Sequence, residues 1–569
     1  MAMNTGRYRF FSFLLLLSPA GLGLRMTPPA ASATTFYIRM DGGSSEQCTG
    51  RADTAYPGSG TGQPCAWNHP FQALPPGGTA LMAGGDTLMV GPGVYQMGWG
   101  APRTAGSCDA EAAYDCFMLP VPSGPDTLHP TRILGAGWDA GCPAPPQLWG
   151  TERANLVLNL TGSSHVRIAC LEITDHSGCV EDHSDSGLAC RRDTAPYGPW
   201  ARVGLYAEDS ADVSLADLNI HGLASRGVLA GRLTDWTVDR VRVAGNGAAG
   251  WDSDLVGDGS ASANQGTLTF RRWLVEWNGC GETYPGGQPT GCWGQSAGGY
   301  GDGVGIGGLT AGHWVIEDSA ILHNTSDGLD MLYVRMPGSQ IEIRRTRVEG
   351  NAGNQVKTTG PVQIENSILV GNCRYFQGKP FTYAWNDDCR AAGDALVLVL
   401  RPGDQATVAH STITGEGTCL VISGCALNQA CNGSESVRLR NSIFQGRSPA
   451  PAEQTCFAWY NDESGDTLPS NPFQTEYSLI NGARFGNVTP NCSGSGNLCD
   501  TAPGLANIAI DAFNARLLPS SPAIDKASSG FSLADDFDRL ARPYGTAPDM
   551  GAYEFRPLSS RNFLPLIRR

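Results

Sequence analysis

Between His165 and Ser448 the chain repeats one short pattern nine times, apolar–x–apolar–x–x–x–x–apolar. The copies open at Val166-Arg-Ile168, Val213-Ser-Leu215, Trp236-Thr-Val238, Leu268-Thr-Phe270, Trp314-Val-Ile316, Ile341-Glu-Ile343, Val362-Gln-Ile364, Ala406-Thr-Val408 and Val437-Arg-Leu439. Their third apolar position falls on Ile173, Ile220, Val243, Val275, Ile321, Val348, Leu369, Ile413 and Phe444. Alternation of this kind is the signature of short strands with one buried face, and its recurrence predicts an all-β solenoid of stacked coils. Steps of 23 (Leu215 to Val238), 27 (Ile316 to Ile343) and 21 residues (Ile343 to Ile364) suit a coil of three strands and three turns. At ~4.8 Å per coil, nine coils make a rod of roughly 40 Å. Longer steps of 47, 46 and 44 residues carry either an insertion or a degenerate extra coil. These extra segments follow the same position of the repeat, so they are expected to project from one side, the side on which solenoids often bind. An asparagine column (Asn246, Asn278, Asn324, Asn351, Asn372) and a hydroxyl column (Ser319, Thr346, Ser367, Ser411, Ser442) read as turn chemistry, with amides stacked from coil to coil.

Composition narrows the setting. Arg7 and Arg9 precede the apolar run 10–17, and Ala31-Ser32-Ala33 offers a cleavage site, so the start reads as a secretory signal peptide. That run is too short to span a bilayer. Eighteen cysteines, an even number with no CxxC pair, fit an oxidising compartment and argue against a zinc finger or thioredoxin site. Proximity along the chain suggests six staples: Cys48 with Cys65, Cys108 with Cys116, Cys179 with Cys190, Cys280 with Cys292, Cys373 with Cys389 and Cys492 with Cys499. Cys142 and Cys170, and the group Cys419, Cys425, Cys431 and Cys456, stay open. A formal charge of −15 without a basic run argues against nucleic acid as partner. A secreted or cell-surface monomer without a membrane span is expected. Only three lysines occur, Lys357, Lys379 and Lys526, so the place of each one matters.

The two ends add a resemblance. Phe36-Tyr37, Gly42-Gly43, 70–74 (PFQAL), Gly85-Asp86-Thr87 and 91–95 (GPGVY) resemble the opening of secreted right-handed parallel β-helix proteins of the pectate-lyase-like superfamily. The runs 521–525 (SPAID) and 548–554 (PDMGAYE) resemble the closing module of the same proteins. The resemblance implies a right-handed parallel β-helix with covered ends. The expected organisation is a signal peptide (1–33), an N-terminal cap with the first coils (34–130), a helix core with disulfide-stapled insertions (131–447), C-terminal coils with the closing module (448–557) and a tail (558–569).

Candidate chemistry lies in the strand after each asparagine, where the copies differ most. One coil reads Asn324-Thr-Ser-Asp327-Gly328-Leu329-Asp330-Met331 and the next Asn351-Ala-Gly-Asn354-Gln355-Val356-Lys357-Thr358. If Leu329, Val356 and Val304 point inward, Asp330 and Lys357 share one outward column, and Asp302 and Asp327 stack beside it. Three carboxylates over two coils are oxygen donors of the kind that suits Ca²⁺, and an amine beside a cation suits proton removal next to a sugar carboxylate. Asp-Gly-x-Asp, an Asp one coil earlier and Asn-x-x-Lys one coil later resemble the family 9 polysaccharide lyases, calcium-dependent β-helix pectate lyases with a lysine base. The resemblance implies Asp302, Asp327 and Asp330 as calcium ligands, Lys357 as base and an acidic polysaccharide as substrate; Ser326 stands where the family has a further Asp. Arg374 and Arg390 would meet sugar carboxylates, and Trp251, Trp293 and Tyr300 would stack on sugar rings. Two alternatives stay open: a non-catalytic glycan-binding or cell-surface module in which Asp330 and Lys357 form an ordinary ion pair, and a polygalacturonase-like hydrolase using Asp330 and Asp252.

Overall fold

The computed structural model describes residues 33–557 apart from 105–107, 109–115, 152, 179–199, 256–262, 285, 294–299, 384–388, 427, 448–454, 462–464, 487, 489–491 and 493. The expected signal segment up to residue 32 and the tail 558–569 lie outside the described residues.

Every apolar position of the nine copies pairs in parallel with its counterpart one coil on. The first position runs Val166, Val213, Trp236, Leu268, Trp314, Ile341, Val362, Ala406, Val437. The third runs Ile173, Ile220, Val243, Val275, Ile321, Val348, Leu369, Ile413, Phe444. A third row of strands, hidden in the variable part of the repeat, stacks Leu158, Leu205, Val228, Trp251, Val304, Leu329, Val356, Leu396, Val421 and Phe457. All of these side chains are buried, so three inward columns fill the barrel and each contributes roughly 1.5–3 kcal/mol for a full-sized apolar residue. The chain is a right-handed parallel β-helix, the hand that parallel crossovers take almost without exception. Less regular coils extend it at both ends: Thr131 pairs with Val166, and Val437 with Phe473. Among the described residues no helix is long and apolar enough to cross a membrane.

The long steps are insertions rather than extra coils, because Val166 pairs directly with Val213, Phe270 with Ile316 and Ile364 with Val408. In the second and third insertions the described residues leave between the second and third rows. They also meet: Cys292 and Trp293 of one pair in parallel with Thr382 and Tyr383 of the next. Trp277, Tyr375 and Phe381 pack there around buried Phe376 and the Cys280–Cys292 disulfide.

Polar ladders hold the turns. Asn246, Asn278 and Asn324 each donate Nδ2–H to the Oδ1 of the next asparagine, at 2.9, 2.9 and 2.8 Å. Asn372 does not join this ladder. Gln355 fills the next place by accepting from Asn351 Nδ2 at 3.0 Å, and Asn372 turns outward to Asp511. The hydroxyl column works in the same sense, with Thr346, Ser367 and Ser411 donating their N–H to Ser367, Ser411 and Ser442 Oγ at 3.1–3.2 Å.

The closing segment lies along the outer side of the second row. Its residues Phe513, Met550 and Ala552 cover the outward-facing Ile368, Val370 and Ile443. Polar contacts tie it to five successive coils, through Asp318, Arg347, Asn366, Thr412 and Asn441. Disulfides join Cys48–Cys65, Cys108–Cys116, Cys280–Cys292, Cys373–Cys389 and Cys492–Cys499, and resolve the open cases as Cys142–Cys170, Cys419–Cys456 and Cys425–Cys431. Of the six expected staples, the one between Cys179 and Cys190 differs from the rest: both Cys179 and Cys190 lie outside the described residues, in the first insertion.

Candidate functional site

On the third row the strand alternation puts Asp330 outward between buried Leu329 and Met331, and Lys357 outward between buried Val356 and Thr358. The register sets Asp330 directly opposite Lys357 and Gly305 opposite Asp330. One outward column therefore reads Tyr206, Leu229, Asp252, Gly305, Asp330, Lys357, Val397, Ile422. From Tyr206 to Lys357 it spans roughly 24 Å.

Lys357 Nζ lies 2.8 Å from Asp330 Oδ2 and 3.3 Å from Asp327 Oδ2. Burial alone would lower the pKa of this amine, but the charges of Asp327 and Asp330 outweigh it and hold the pKa above the ordinary lysine range. Asp302 and Asp327 stack one coil apart as expected, but both are buried, and they open a third ladder whose continuation through Asn354 and Asp394 the sequence did not reveal. The N–H of Asp327 donates to Asp302 Oδ1 (2.9 Å), that of Asn354 to Asp327 Oδ1 (2.7 Å), that of Asp394 to Asn354 Oδ1 (3.0 Å) and that of Cys419 to Asp394 Oδ1 (2.7 Å). Burial, joined by the negative charges of Asp327 and Asp330, pushes the Asp302 carboxyl up to about 7. Burial does the same to Asp394, also to about 7.

The donor set does not fit calcium. That ion takes six to eight oxygens at about 2.3–2.6 Å. Here one oxygen each of Asp302 and Asp327 is committed to backbone N–H, and the second oxygen of Asp327 shares the Lys357 ammonium with Asp330. At Ser326, where the family pattern has its further carboxylate, the Arg390 guanidinium instead bonds the hydroxyl. The cation that meets these carboxylates is the Lys357 ammonium.

The other expected residues scatter. Trp251 is corrected: it is 1% exposed and packs edge-on against Phe270 and Trp273 inside the barrel, because the alternation of Ala249–Asp252 turns it inward. It cannot stack on a sugar. Trp293 and Tyr300 are half-buried in the second insertion. Arg374 is 38% exposed and its backbone N–H is held by Glu416. Asp252 is bound by Arg226 at 2.6 Å and stands two coils from Asp330, which Lys357 binds, so each carboxylate of the hydrolase pair is engaged by a cation. Sequence reasoning missed an open groove of ≈ 640 Å³ on the same outer face, lined by Phe117, Asn155, Arg202, Tyr206, Arg226 and Leu229. Arg202 Nε there is buried with no hydrogen-bond partner among the described residues. The groove is built from irregular early coils, and only the third-row register would have exposed it.

No family model and no curated protein matches the chain. Among solved structures it is similar to pectate lyase Pel9A, at 12% identity and a TM-score of 0.40, with 92% of this chain and 97% of that one covered. It is also similar to an alginate lyase from Paenibacillus sp. str. FPU-7, at 14% identity and a TM-score of 0.27, covering 66% and 92%. Likeness of this degree says nothing about activity.

Proposed function

We propose that the chain is a secreted carbohydrate-active protein that cleaves an acidic polysaccharide by β-elimination on the outer face of the third row. The observation that supports this reading is Lys357 on the outward column, with Arg390 bonded to Ser326 next to Asp327 and the Arg202–Arg226 groove on the same face. Arg390 would neutralise a uronate carboxylate, the part the family gives to calcium, which acidifies the proton on the adjacent carbon. Lys357 Nζ takes that proton, the electron pair forms the carbon–carbon double bond, and the glycosidic C–O bond breaks with its oxygen protonated from water. Because Asp327 and Asp330 hold Lys357 protonated, the amine acts as base only at alkaline pH.

The same ion pair favours a second reading, a glycan-binding module in which Lys357 and the arginines stay charged and grip carboxylates without chemistry. One experiment separates the two. A panel of polyuronates is incubated from pH 7 to 10, with calcium or with chelator, and unsaturated ends are followed by ultraviolet absorbance. Rising activity at high pH, unaffected by chelator and lost in Lys357→Ala, supports elimination. Retained binding without absorbance change in any condition refutes elimination and leaves the binding module. Activity that needs calcium would refute the role given to Arg390.

A further inference from the structure

His176, His221 and Glu282 converge away from the outer face, on the side where the insertions leave the coils. They come from the ends of Ser164–Thr174 and Val203–His221 and from the hairpin strand Gly281–Thr283. His176 Nδ1 lies 2.8 Å from one Glu282 oxygen and His221 Nδ1 2.8 Å from the other. The three donor atoms lie within 4.8 Å of one another. All three side chains are at most 8% exposed.

We propose that His176, His221 and Glu282 bind a divalent transition metal of the zinc class, which fastens the hairpin 281–290 to the coils beneath it. Four observations carry this. First, two imidazoles and one carboxylate are a donor set of zinc, whose bonds of about 2.0–2.2 Å place ligand atoms roughly 3.3 Å apart, between the 2.8 Å nitrogen–oxygen contacts and the 4.8 Å that bounds the three atoms here. Second, the other nitrogen of His221 already has the partner that metal-bound histidines use, with Nε2 2.8 Å from Glu172 Oε1. His176 Nε2 lies 3.0 Å from the Gln147 side-chain nitrogen, and with Nδ1 on the metal its Nε2–H would meet the Gln147 oxygen once that amide turns over. Third, charge: among the described residues neither Glu172 nor Glu282 has an arginine or lysine partner, and a divalent ion between neutral imidazoles balances both carboxylates. Fourth, the backbone makes room. A Cβ at Gly222 would fall 2.6 Å from the Glu282 carboxyl carbon, and the φ of +64° there suits glycine. The Cys280–Cys292 bridge closes the same insertion from its base, so metal and disulfide would hold one loop at two points.

The test uses the full chain. Protein stripped by chelator is given one equivalent of Zn(II) or Co(II), passed through a desalting column and analysed for bound metal and melting temperature. The expected result is about one ion retained per chain, a raised Tm, and for Co(II) the visible absorption of a low-coordinate site. Glu282→Gln, which keeps the shape and one acceptor, and His221→Ala should each lower retention at least tenfold and abolish the Tm rise. Lys357→Ala should retain the metal fully. If His221→Ala does not fold, Glu282→Gln carries the test alone. The proposal is overturned if the wild type loses the ion on the column, or if Glu282→Gln retains it equally, which marks an adventitious ion.

Discussion

Asp330 and Lys357 face one another because each sits between two inward residues of adjacent strands, and the same placement sets their titration. Replacing Asp330 by Asn removes an anion 2.8 Å from the amine and lowers its pKa. We expect the alkaline rise of kcat/KM on a polyuronate to move to lower pH by one unit or more, and an unmoved profile would exclude Lys357 as base. Asp302 gives a stability counterpart. Its folded pKa of about 7 exceeds the unfolded value, so the native state holds a proton that the unfolded chain has already lost, and stability falls as pH rises from about 4 to 7. Above that window the full penalty applies, at most about 4 kcal/mol. Asn354 already fills the equivalent place one coil beyond Asp327. Asp302→Asn should therefore keep the ladder and raise Tm at pH 8 while changing little at pH 4. Equal melting shifts at both pH values would contradict the buried-charge account.

At the scale of the element, the strands are specified by alternation and the turns by side chains that replace missing backbone partners. Asn324 accepts from Asn278 and donates to Asn351 with no exposure to water. Asn324→Ala strands a buried donor and a buried acceptor and should cost roughly 2–4 kcal/mol, read by denaturant melts. A loss below about 1 kcal/mol would show that water takes the place of the amide. The register of the first two rows was legible because apolar spacing there is rigid. The third row was legible where an asparagine anchors its start, five residues before Leu329 and Val356. Asn246 stands in the same relation to Trp251, so the inward place of that residue was also within reach of the asparagine column. N-terminal to Asn246 the row has no such anchor, which hid the Arg202–Arg226 groove. The His176–His221–Glu282 cluster was illegible for another reason: its members lie 45 and 61 residues apart, and only the hairpin returning from the second insertion unites them.

For the molecule as a whole, the closing segment decides how the coils hold together. Its anchor is Arg542, paired with Glu554 at 2.8 Å with both side chains fully buried. Arg542→Ala leaves a buried carboxylate unpaired and should cost about 3–5 kcal/mol, with the loss concentrated in residues 505–557 when followed by hydrogen exchange. Uniform loss across all coils would argue against a separately anchored segment. A stack of coils touching only their neighbours frays from its ends, since each unit can peel away singly. Here the segment bonded to coils from Asp318 to Asn441 runs across the direction of peeling. Pulled along its long axis, the rod would not lengthen in steps of one coil; it would resist as a block until the lateral tie gives way, and then yield several coils at once.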